Sequence, residues 1–428
     1  MKNAFDKNKL AYFGGPKAVT RKPNYEWPIV TQEEIDAVVD LLKRGKLSID
    51  RGDVIEQFEK NFSKYHNIKY CLLQNNGTST LHAAYWAAGV GPGDEVIVPT
   101  YTWLATATPI LATNGIPVFC DIDPKTLCAD PESIKKKITD KTKAICIVHI
   151  WGHACDMDPI MEIAEKYDLK VIEDCSHAHG TEYKGKKVGT IGHIGCFSLQ
   201  GGKPMTGGEA GALITNDQEL YERAMLVGQY KRTLNDITIN KYKPYAYTAL
   251  AWKYRAHPVA AVLANIQLKY LDERNTERNK AHYYFNEKIE EIPGLEAHKD
   301  APYCKRGGWY GLRIIVKKNV INELKNISIQ KIIELLKAEG VQAEPERYKL
   351  LHLEPLFSEP FNFYGKGCPF NCPYVKNHYH WKKGDLPVSE EIINRLISLN
   401  RFDKFDKEYI DMNIEAFFKV FNFILNSK

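Results

Sequence analysis

The sequence predicts an α/β fold, in which a mostly parallel seven-stranded sheet is joined to a smaller α+β domain at the C-terminus. The chain has 428 residues, a length that favours two domains. Between residues 70 and 174, short and almost continuously apolar segments alternate with helical patterns. This alternation is typical of a parallel sheet covered by helices on both faces. We therefore place a large domain at residues 1–260 and a small domain at residues 261–428, with the N-terminal segment packed on the small domain.

Two helices are predicted before the sheet, at residues 31–45 and 53–66, because apolar residues recur there at steps of three and four. Thr31 is the expected N-cap of the first helix. The strands expected to form the sheet are YCLLQ (70–74), DEVIVP (94–99), IPVFCDI (116–122), KAICIVHI (143–150), LKVIED (169–174), GCFSL (195–199) and GALIT (211–215). Helical patterns between them are TSTLHAAYWAAG (78–89), YTWLATATPILATNG (101–115) and DPIMEIAEKYD (158–168).

The small domain is expected to begin with one long helix from Pro258 to Ile289, which links it to the large domain. A strand is predicted at WYGLRIIV (309–316), and a helix at 328–340 with Ser328 as its N-cap and Gly340 just after its end. A final helix is predicted at SEEIINRLISLN (389–400).

Composition excludes several classes of function. The net charge of +5 is small for this length, and it does not indicate a basic cluster of the kind that binds nucleic acid. No segment is apolar over the length of a membrane span, and the N-terminus has no apolar core of a signal peptide, so we expect a cytoplasmic protein. The ten cysteines do not follow the dense pattern of a secreted disulfide scaffold, and several lie in apolar runs where a free thiol is buried.

Three features lie at predicted carboxyl ends of strands, where open α/β sheets bind ligands. The first is NNGTST (75–80), where Gly77 permits close approach of the backbone and Thr78 and Ser79 supply hydroxyl and N–H donors at a helix N-terminus. This arrangement favours an anion, although a plain capped helix start has the same pattern.

The other two features are Asp174, which closes the strand LKVIED beside Glu173, and Lys203 in the glycine-rich segment FSLQGGKPMTGG. Taken singly, each side chain has a structural explanation, as a capping carboxylate or as a solvated loop lysine. Together with an anion site they meet the requirements of pyridoxal phosphate, which needs a phosphate cradle, an acid opposite its ring nitrogen and a lysine for its aldehyde. Trp103, just after the strand DEVIVP, is the expected aromatic cover, with plain packing as the alternative.

The chain also resembles a known family, the DegT-like sugar aminotransferases, which are pyridoxal phosphate enzymes of the aspartate aminotransferase fold type I. The resemblance runs from about residue 13 to residue 400. The matching segments are GVGPGDEVIVPTYTWLATATPI, PVFCDID, HIWGHACDMDPI, VIEDCSHAHGTEYKGKKVGTIG, FSLQGGKPMTGGEAGALITND, KYRAHPVAAVLANIQL and LPVSEE.

The resemblance implies a role for each cofactor residue. Lys203 matches the Schiff-base lysine, Asp174 the partner of the ring nitrogen and Trp103 the stacking residue. Gly77, Thr78 and Ser198 match the phosphate contacts.

His177 stands where the family usually has a glutamine beside the cofactor's 3-oxygen, and a neutral imidazole can donate the same hydrogen bond. Lys253 stands where many members have an asparagine that reaches the phosphate bound by the neighbouring subunit. The resemblance thus implies a homodimer with shared active sites.

The implied reaction is transfer of an amino group from L-glutamate or L-glutamine to a keto sugar, a cyclitol ketone or a related ketone, in ping-pong order. Gln200 replaces a histidine found in many members, and we expect Gln200, Tyr348 and His352 to face the substrate; Tyr348 and His352 have plain packing as the alternative. Alternatives to this function are a dehydratase that deoxygenates sugars, and a regulatory protein that binds the cofactor without catalysis. The retained Lys203 argues against both.

One further cluster, GKGCPFNCPYVKNHYHW (365–381), contains Cys368, Cys372, His378 and His380. Its spacing fits no common zinc ligand set, so we expect no metal site. We expect instead a loop of the small domain over the active site.

Overall fold

A computed structural model describes residues 9–48, 53–230, 232–323, 327–359, 365–375 and 379–426. The α-helices are α1 (Gln32–Lys43), α2 (Val54–His66), α3 (Gly77–Ala87), α4 (Thr108–Ala112), α5 (Pro131–Lys136), α6 (Met157–Lys166), α7 (Gln218–Gly228), α8 (Thr233–Asp236), α9 (Pro258–Lys269), α10 (Leu271–Glu290), α11 (Lys318–Glu323), α12 (Ile329–Ala338), α13 (Pro355–Ser358), α14 (Pro387–Ile392) and α15 (Lys407–Asn426).

The strands are β1 (Tyr70–Gln74), β2 (Glu95–Pro99), β3 (Ile116–Cys120), β4 (Thr142–Val148), β5 (Lys170–Asp174), β6 (Glu182–Tyr183), β7 (Lys186–Lys187), β8 (Ile194–Ser198), β9 (Gly211–Thr215), β10 (Leu295–Ala297), β11 (Cys304–Lys305), β12 (Leu312–Val316), β13 (Ala343–Pro345) and β14 (Leu396–Leu399). All seven strands predicted for the large sheet are present.

The large sheet has the order β1-β9-β8-β5-β4-β2-β3. Strands β3, β2, β4, β5 and β8 pair in parallel, whereas β9 is antiparallel to both of its neighbours. The predicted mostly parallel sheet is therefore confirmed. Because β9 is antiparallel to both β1 and β8, these two strands run in the same direction. Their last residues, Gln74 and Ser198, both pair with Gly211. The carboxyl ends of β1, β8 and β5 thus meet along one edge.

Close packing at this edge requires glycine at two positions. A Cβ on Gly77 would lie 2.7 Å from the Cβ of Ser198, and a Cβ on Gly211 would lie 2.4 Å from the carbonyl oxygen of Asn76. Real Cβ atoms do not approach so closely, so the start of α3 can pack directly on the end of β8 only without side chains at these positions. The turn NNGTST is thereby fixed against the sheet.

A second sheet, with the order β10-β12-β14-β13, is antiparallel throughout. It has its own hydrophobic core, to which α10, α12 and α15 contribute, and which includes Leu10 and Val19 from the N-terminal segment. The carboxylate of Glu339 holds that segment by accepting hydrogen bonds from the N–H groups of Ala11 (2.7 Å) and Ala18 (3.0 Å). The boundary after residue 260 stays a prediction.

Two helix predictions differ from the structure. The pattern at 258–289 forms two helices, α9 and α10, that meet at Tyr270; α9 packs in the core of the large sheet. The predicted final helix is wrong beyond Arg395: after α14 and a short 3₁₀ turn (Ile393–Arg395), the apolar run Leu396–Leu399 forms the buried strand β14 between β12 and β13. A buried strand without polar alternation cannot be told from a helix by its periodicity.

The final helix of the described chain is instead α15, which the sequence reading missed. Its buried residues recur at steps of three and four. They are Tyr409, Ile410, Asn413, Ala416, Phe417, Val420, Phe421 and Ile424. This amphipathic pattern was available as a signal.

The loop 365–381 does not lie where it was expected. Cys368 and Cys372 form a disulfide, and the described part of the loop packs beside β2 and β3. Tyr379 donates a hydrogen bond to Glu95, at the start of β2, and Trp381 contacts Phe119 with ring centres 5.4 Å apart. None of the described residues of this loop lines the cavity that holds Lys203, so they do not meet the expectation of a loop over the active site; His378 lies outside the described residues. None of the described helices is long and apolar enough to span a bilayer.

Candidate active site

A cavity of about 490 Å³ lies at the carboxyl edge of the large sheet and gathers most of the predicted site residues. Those that line it are Gly77, Thr78, Trp103, Asp174, His177, Ser198, Gln200, Lys203 and Tyr348. They come from segments that are distant in sequence and meet only because the strands end together. The edge position expected from parallel strands therefore places Asp174, Lys203 and the start of α3 around a common space.

Lys203 is held in a tight loop between β8 and β9. Its N–H donates to the carbonyl oxygen of Gln200 (2.8 Å), and two further contacts close the loop: Trp27 Nε1 donates to the carbonyl of Gly201 (3.1 Å), and Arg401 Nη1 donates to that of Gly202 (2.8 Å). Lys203 itself is only 8% exposed. The loop is therefore anchored from both the N-terminal segment and the small domain, and its amine points into protein rather than solvent.

Burial lowers the pKa of Lys203 from its ordinary value to about 7, and the positive charges of Arg347 and Arg401 act in the same direction. The carboxylate of Asp174 opposes this shift. Desolvation dominates because the ammonium form loses more hydration than one carboxylate at this site restores. A substantial share of the amine is thus neutral, and nucleophilic, at neutral pH.

Asp174, at the end of β5, is buried and oriented by two donors. The hydroxyl of Thr106 donates to Oδ2 (2.9 Å) and the N–H of Ser176 donates to Oδ1 (3.1 Å). Its neighbour Glu173 points the other way and accepts hydrogen bonds from the N–H groups of residues 189, 191 and 192. Alternation along the strand therefore assigns Asp174 to the cavity and Glu173 to the structure of the following loop.

The start of α3 faces the cavity with free donors. Asn76 caps the helix by accepting from the N–H of Ser79 (2.7 Å), whereas the N–H groups of Gly77 and Thr78 donate to no acceptor within the described part of the chain. Free N–H groups at a helix N-terminus and the helix dipole both favour an anion. The geometry suits a phosphate group at this end of the cavity.

His177 lies among aromatic side chains on the other side of the cavity. Its ring stacks on Tyr310, with centres 4.2 Å apart, and its Nδ1 accepts a hydrogen bond from the N–H of Trp151 (3.3 Å). Burial lowers the pKa of His177 well below its ordinary value, and the charge of Lys203 adds to the effect. The ring is therefore neutral with its hydrogen on Nε2, which lies 3.2 Å from the hydroxyl of Tyr348.

Three predicted residues do not line the cavity. The hydroxyl of Ser79 is used within its own turn, where it bonds to Asn75 and Asn76. His352 is fully buried, with Nδ1 against Thr100 (2.7 Å) and Nε2 against Glu390 (3.1 Å), so this geometry offers it no substrate contact. Lys253 is exposed, and its main chain lies beside the NNGTST turn while its side chain stays outside the cavity of its own chain.

Several residues of the cavity wall were not predicted from the sequence, among them Tyr310 and Arg347. The ring of Tyr310 lies against Lys203, with Nζ 3.9 Å from the ring centre. Tyr310 reaches this position because Gly308 packs directly on Pro204: a Cβ on Gly308 would lie 3.0 Å from Cγ of Pro204. The glycine pair before WYGLRIIV was the available signal for a close approach.

Two groups of His, Cys and acidic residues lie close enough together to resemble metal sites, but atoms that could bind a metal already form hydrogen bonds or ion pairs with other protein groups. In the first, His149 Nε2 contacts Glu173 (3.0 Å) and Nδ1 accepts from the N–H of Cys155 (3.0 Å). In the second, Asp300 pairs with Arg306, and the sulfur of Cys304 accepts from the N–H of Ala154 (3.2 Å). Structural hydrogen bonding accounts for both groups.

Comparison with known proteins agrees with this geometry. The sequence model of the DegT/DnrJ/EryC1/StrS aminotransferase family matches residues 28–418. The chain is 34% identical over 386 residues to the GDP-perosamine synthase of Escherichia coli O157:H7, covering 89% of this chain and 98% of that protein. It is 32% identical over 406 residues to an L-glutamine:2-deoxy-scyllo-inosose aminotransferase of Streptoalloteichus tenebrarius, covering 91% and 92% of the two chains.

Among solved structures, the fold is similar to that of an aminotransferase from Psychrobacter cryohalolentis. The TM-score is 0.82 with 30% sequence identity, and the match covers 94% of this chain and all of the other. The predicted fold type I architecture is thereby confirmed.

Proposed function

Because the chain belongs to the DegT/DnrJ/EryC1/StrS aminotransferase family, we propose that it uses pyridoxal phosphate to transfer an amino group from L-glutamate or L-glutamine to a keto sugar, a cyclitol ketone or a related ketone. The observation that carries the proposal is Lys203, a buried amine with a pKa of about 7 in a cavity that also contains Asp174. A structural lysine has no need of such burial, whereas a nucleophile does.

The cavity fits the cofactor at both of its ends. The free N–H groups of Gly77 and Thr78, with the hydroxyls of Thr78 and Ser198, would hold the phosphate. Asp174 would face the ring nitrogen, Trp103 would cover the ring, and Nε2 of His177 would donate to the 3-oxygen. When bound, pyridoxal phosphate supplies an aldehyde that takes up the amine and a ring that accepts electrons.

Residues of the chain itself would transfer the proton, orient the acid and exclude water. The amine of Lys203 carries a proton to and from the substrate carbon, because a group with a pKa near 7 gives and takes protons readily at neutral pH. Thr106 and Ser176 hold the carboxylate of Asp174 in one orientation, so that its charge favours a protonated nitrogen opposite it. The rings of Tyr310 and Tyr348 exclude water from the side of Lys203 and His177.

The acceptor is proposed from the relatives and from cavity residues. One relative is named for a GDP-linked product and another for a cyclitol ketone, so both classes are candidates. Gln200 lies at the cavity with its Oε1 accepting from the N–H of Gly202 (2.9 Å), which leaves its amide nitrogen for a substrate hydroxyl. Tyr348 lines the same space and is our second substrate residue.

We further propose a cytoplasmic homodimer in which Lys253 of the partner subunit reaches the phosphate of each site. Exposed aromatic side chains in the segment that leads to Lys253 support this arrangement, since Tyr247 is 81% and Trp252 48% exposed in the single chain. Aromatic surface of this kind is typical of an interface. Eight of the ten cysteines are free and buried, as a reducing compartment favours, and the Cys368–Cys372 disulfide is the exception to this pattern.

The test is transfer of ¹⁵N from labelled L-glutamine or L-glutamate to a panel of nucleotide-linked keto sugars and cyclitol ketones, with products identified by mass. Loss of a hydroxyl group from the sugar without nitrogen uptake would favour the dehydratase alternative. A protein that binds pyridoxal phosphate, but whose cofactor absorbance does not change with any amino acid, would favour the regulatory alternative. A Lys203→Ala variant that transfers nitrogen at the wild-type rate would contradict the proposal.

A further inference from the structure

We propose that Tyr310 is a catalytic residue, whose ring holds the amine of Lys203 while that amine is not joined to the cofactor. This inference rests on the proposed function, in which the nitrogen of the donor takes the place of the Lys203 nitrogen on the cofactor and releases Lys203 as a free amine. An amine that leaves and returns in every cycle needs a fixed position close to the reaction. The ring of Tyr310 offers that position.

The amine of Lys203 has the ring of Tyr310 as its direct partner. Nζ lies 3.9 Å from the centre of the ring. Among the residues that the structure describes, no carboxylate lies within ion-pair distance of Nζ and no acceptor lies within hydrogen-bond distance of it. The face of an aromatic ring attracts an ammonium group without needing an acceptor atom. The ring is therefore the group in contact with the charge when Lys203 is protonated.

The ring of Tyr310 is held in one orientation by its surroundings. It stacks on His177, with centres 4.2 Å apart, and lies almost parallel to the fully buried ring of Trp151, at an angle of 5°. The segment that carries it also packs main chain against main chain, since a Cβ on Gly307 would lie 2.3 Å from the carbonyl carbon of Gly180. A ring fixed in this way needs no rearrangement to receive the amine.

Charged groups on several elements act on the amine of Lys203. Burial and the charges of Arg347 and Arg401 lower its pKa, whereas the carboxylate of Asp174 opposes this shift. Glu209 lies at the exposed side of the same cavity. Burial keeps three further titratable side chains uncharged at neutral pH, because it lowers the pKa of an imidazole and raises that of a phenol. They are His177, His179 and Tyr348.

A ring face suits an amine that must both hold a proton and release it. A second carboxylate beside Nζ would bind the ammonium form more strongly than a ring does, and would keep the amine protonated at neutral pH. The hydroxyl of Tyr310 forms no hydrogen bond within the described part of the chain. The ring alone is therefore expected to carry the effect, so phenylalanine should replace Tyr310 in this role and leucine should not.

The test is the pH dependence of reductive methylation of Lys203 in the full chain without cofactor, followed by site-resolved mass spectrometry. Tyr310→Leu should lower the midpoint from about 7 to between about 5.5 and 6.6, because the ammonium form loses its contact with the ring. At pH 6, Lys203 of this variant should react about two- to eightfold faster than in the wild type, because a larger fraction of the amine is neutral. Tyr310→Phe should keep the wild-type midpoint.

Tyr12→Leu is the matched control, since it removes a ring that lies 3.8 Å from Nζ of Lys331 on the exposed surface. Its Lys203 midpoint should equal that of the wild type. An unchanged midpoint in Tyr310→Leu would overturn the inference. A higher midpoint would overturn it too, since the ring would then act only by excluding water. A midpoint lowered equally in Tyr310→Phe would assign the effect to the hydroxyl and would also contradict the inference.

The loaded enzyme supplies a second measurement. Exchange of the α-hydrogen of L-glutamine or L-glutamate with solvent deuterium reports proton transfer by Lys203, and its acidic limb should move to lower pH in Tyr310→Leu but not in Tyr12→Leu. A wild-type enzyme that exchanges no hydrogen with either amino acid would refute the proposed function and this inference with it. Wild-type exchange combined with an unshifted Tyr310→Leu profile would refute the inference alone.

Discussion

Lys203 is charged only at an energetic cost, because its amine is buried between Tyr310 and the loop that carries it. Its pKa of about 7 lies well below the ordinary lysine value of about 10.4, so the unfolded chain binds more protons than the folded chain between these two values. Stability from this residue therefore rises with pH across that window, and falls as the pH drops through it. A buried lysine that lowers stability in this way is better explained by a role in the reaction than by a role in the fold.

The same shift predicts how Lys203 reacts. In the cofactor-free protein, reductive methylation of Lys203 should reach half of its maximal rate near pH 7, because only the neutral amine attacks an aldehyde. Site-resolved mass spectrometry between pH 5 and 9 would measure this, with exposed lysines as internal controls whose rates still rise at pH 9. A Lys203 rate that also keeps rising up to pH 9 would contradict the lowered pKa.

Site residues could be predicted from the sequence where a chemically suitable side chain lies next to a recognisable strand. Lys203, Asp174 and Gly77 each follow or precede a recognisable strand, so the rule that parallel strands end together was enough to unite them. Tyr310 and Arg347 were not predictable in this way, because they come from the small domain and their approach depends on how its segments pack on the large sheet. His352 is the opposite case: of the two interpretations left open for it, substrate contact and packing, its buried contacts with Thr100 and Glu390 favour packing.

At the scale of elements, the C-terminal part of the chain shows how a neighbour decides between helix and strand. Leu396–Leu399 has apolar residues suited to either, and becomes β14 because β12 and β13 supply hydrogen-bonding partners on both sides. The final helix is instead α15, whose apolar face packs into the core of this sheet. A sequence pattern identifies the apolar residues of a segment, but it does not identify the strands or helices against which that segment packs.

Helix α15 offers a matched pair of substitutions. Phe417 is fully buried in the second core, whereas its neighbour Phe418 is 52% exposed. Phe417→Ala should lower the free energy of unfolding by about 3–5 kcal/mol, because it leaves a cavity in the core. Phe418→Ala should change it by no more than about 0.5 kcal/mol. Urea denaturation of both variants measures the difference, and similar losses would contradict the assigned face of α15.

At the scale of the whole molecule, the site depends on segments from every part of the chain. The loop of Lys203 is contacted by Trp27 near the N-terminus and by Arg401 near the C-terminus, and Tyr310 of the small domain closes one side of the cavity. A movement of the small sheet against the large one would therefore change the surroundings of Lys203. The described chain accounts for the amine, the acid and the anion site, and leaves Lys253 beside the cavity without a role in it.

A role for Lys253 across a dimer interface predicts complementation between two defective chains. Lys203→Ala should be inactive, and Lys253→Ala should be impaired because a charge near the phosphate is lost. In a hybrid dimer of the two variants, one site carries both defects and the other neither, so the hybrid should show roughly half of the wild-type rate per dimer. Hybrids are isolated with two different affinity tags, and a hybrid of wild type with Lys203→Ala is the control with one intact site. If Lys253 instead acted within its own chain, no site of the first hybrid would be intact, and its rate would not exceed half that of the Lys253→Ala dimer.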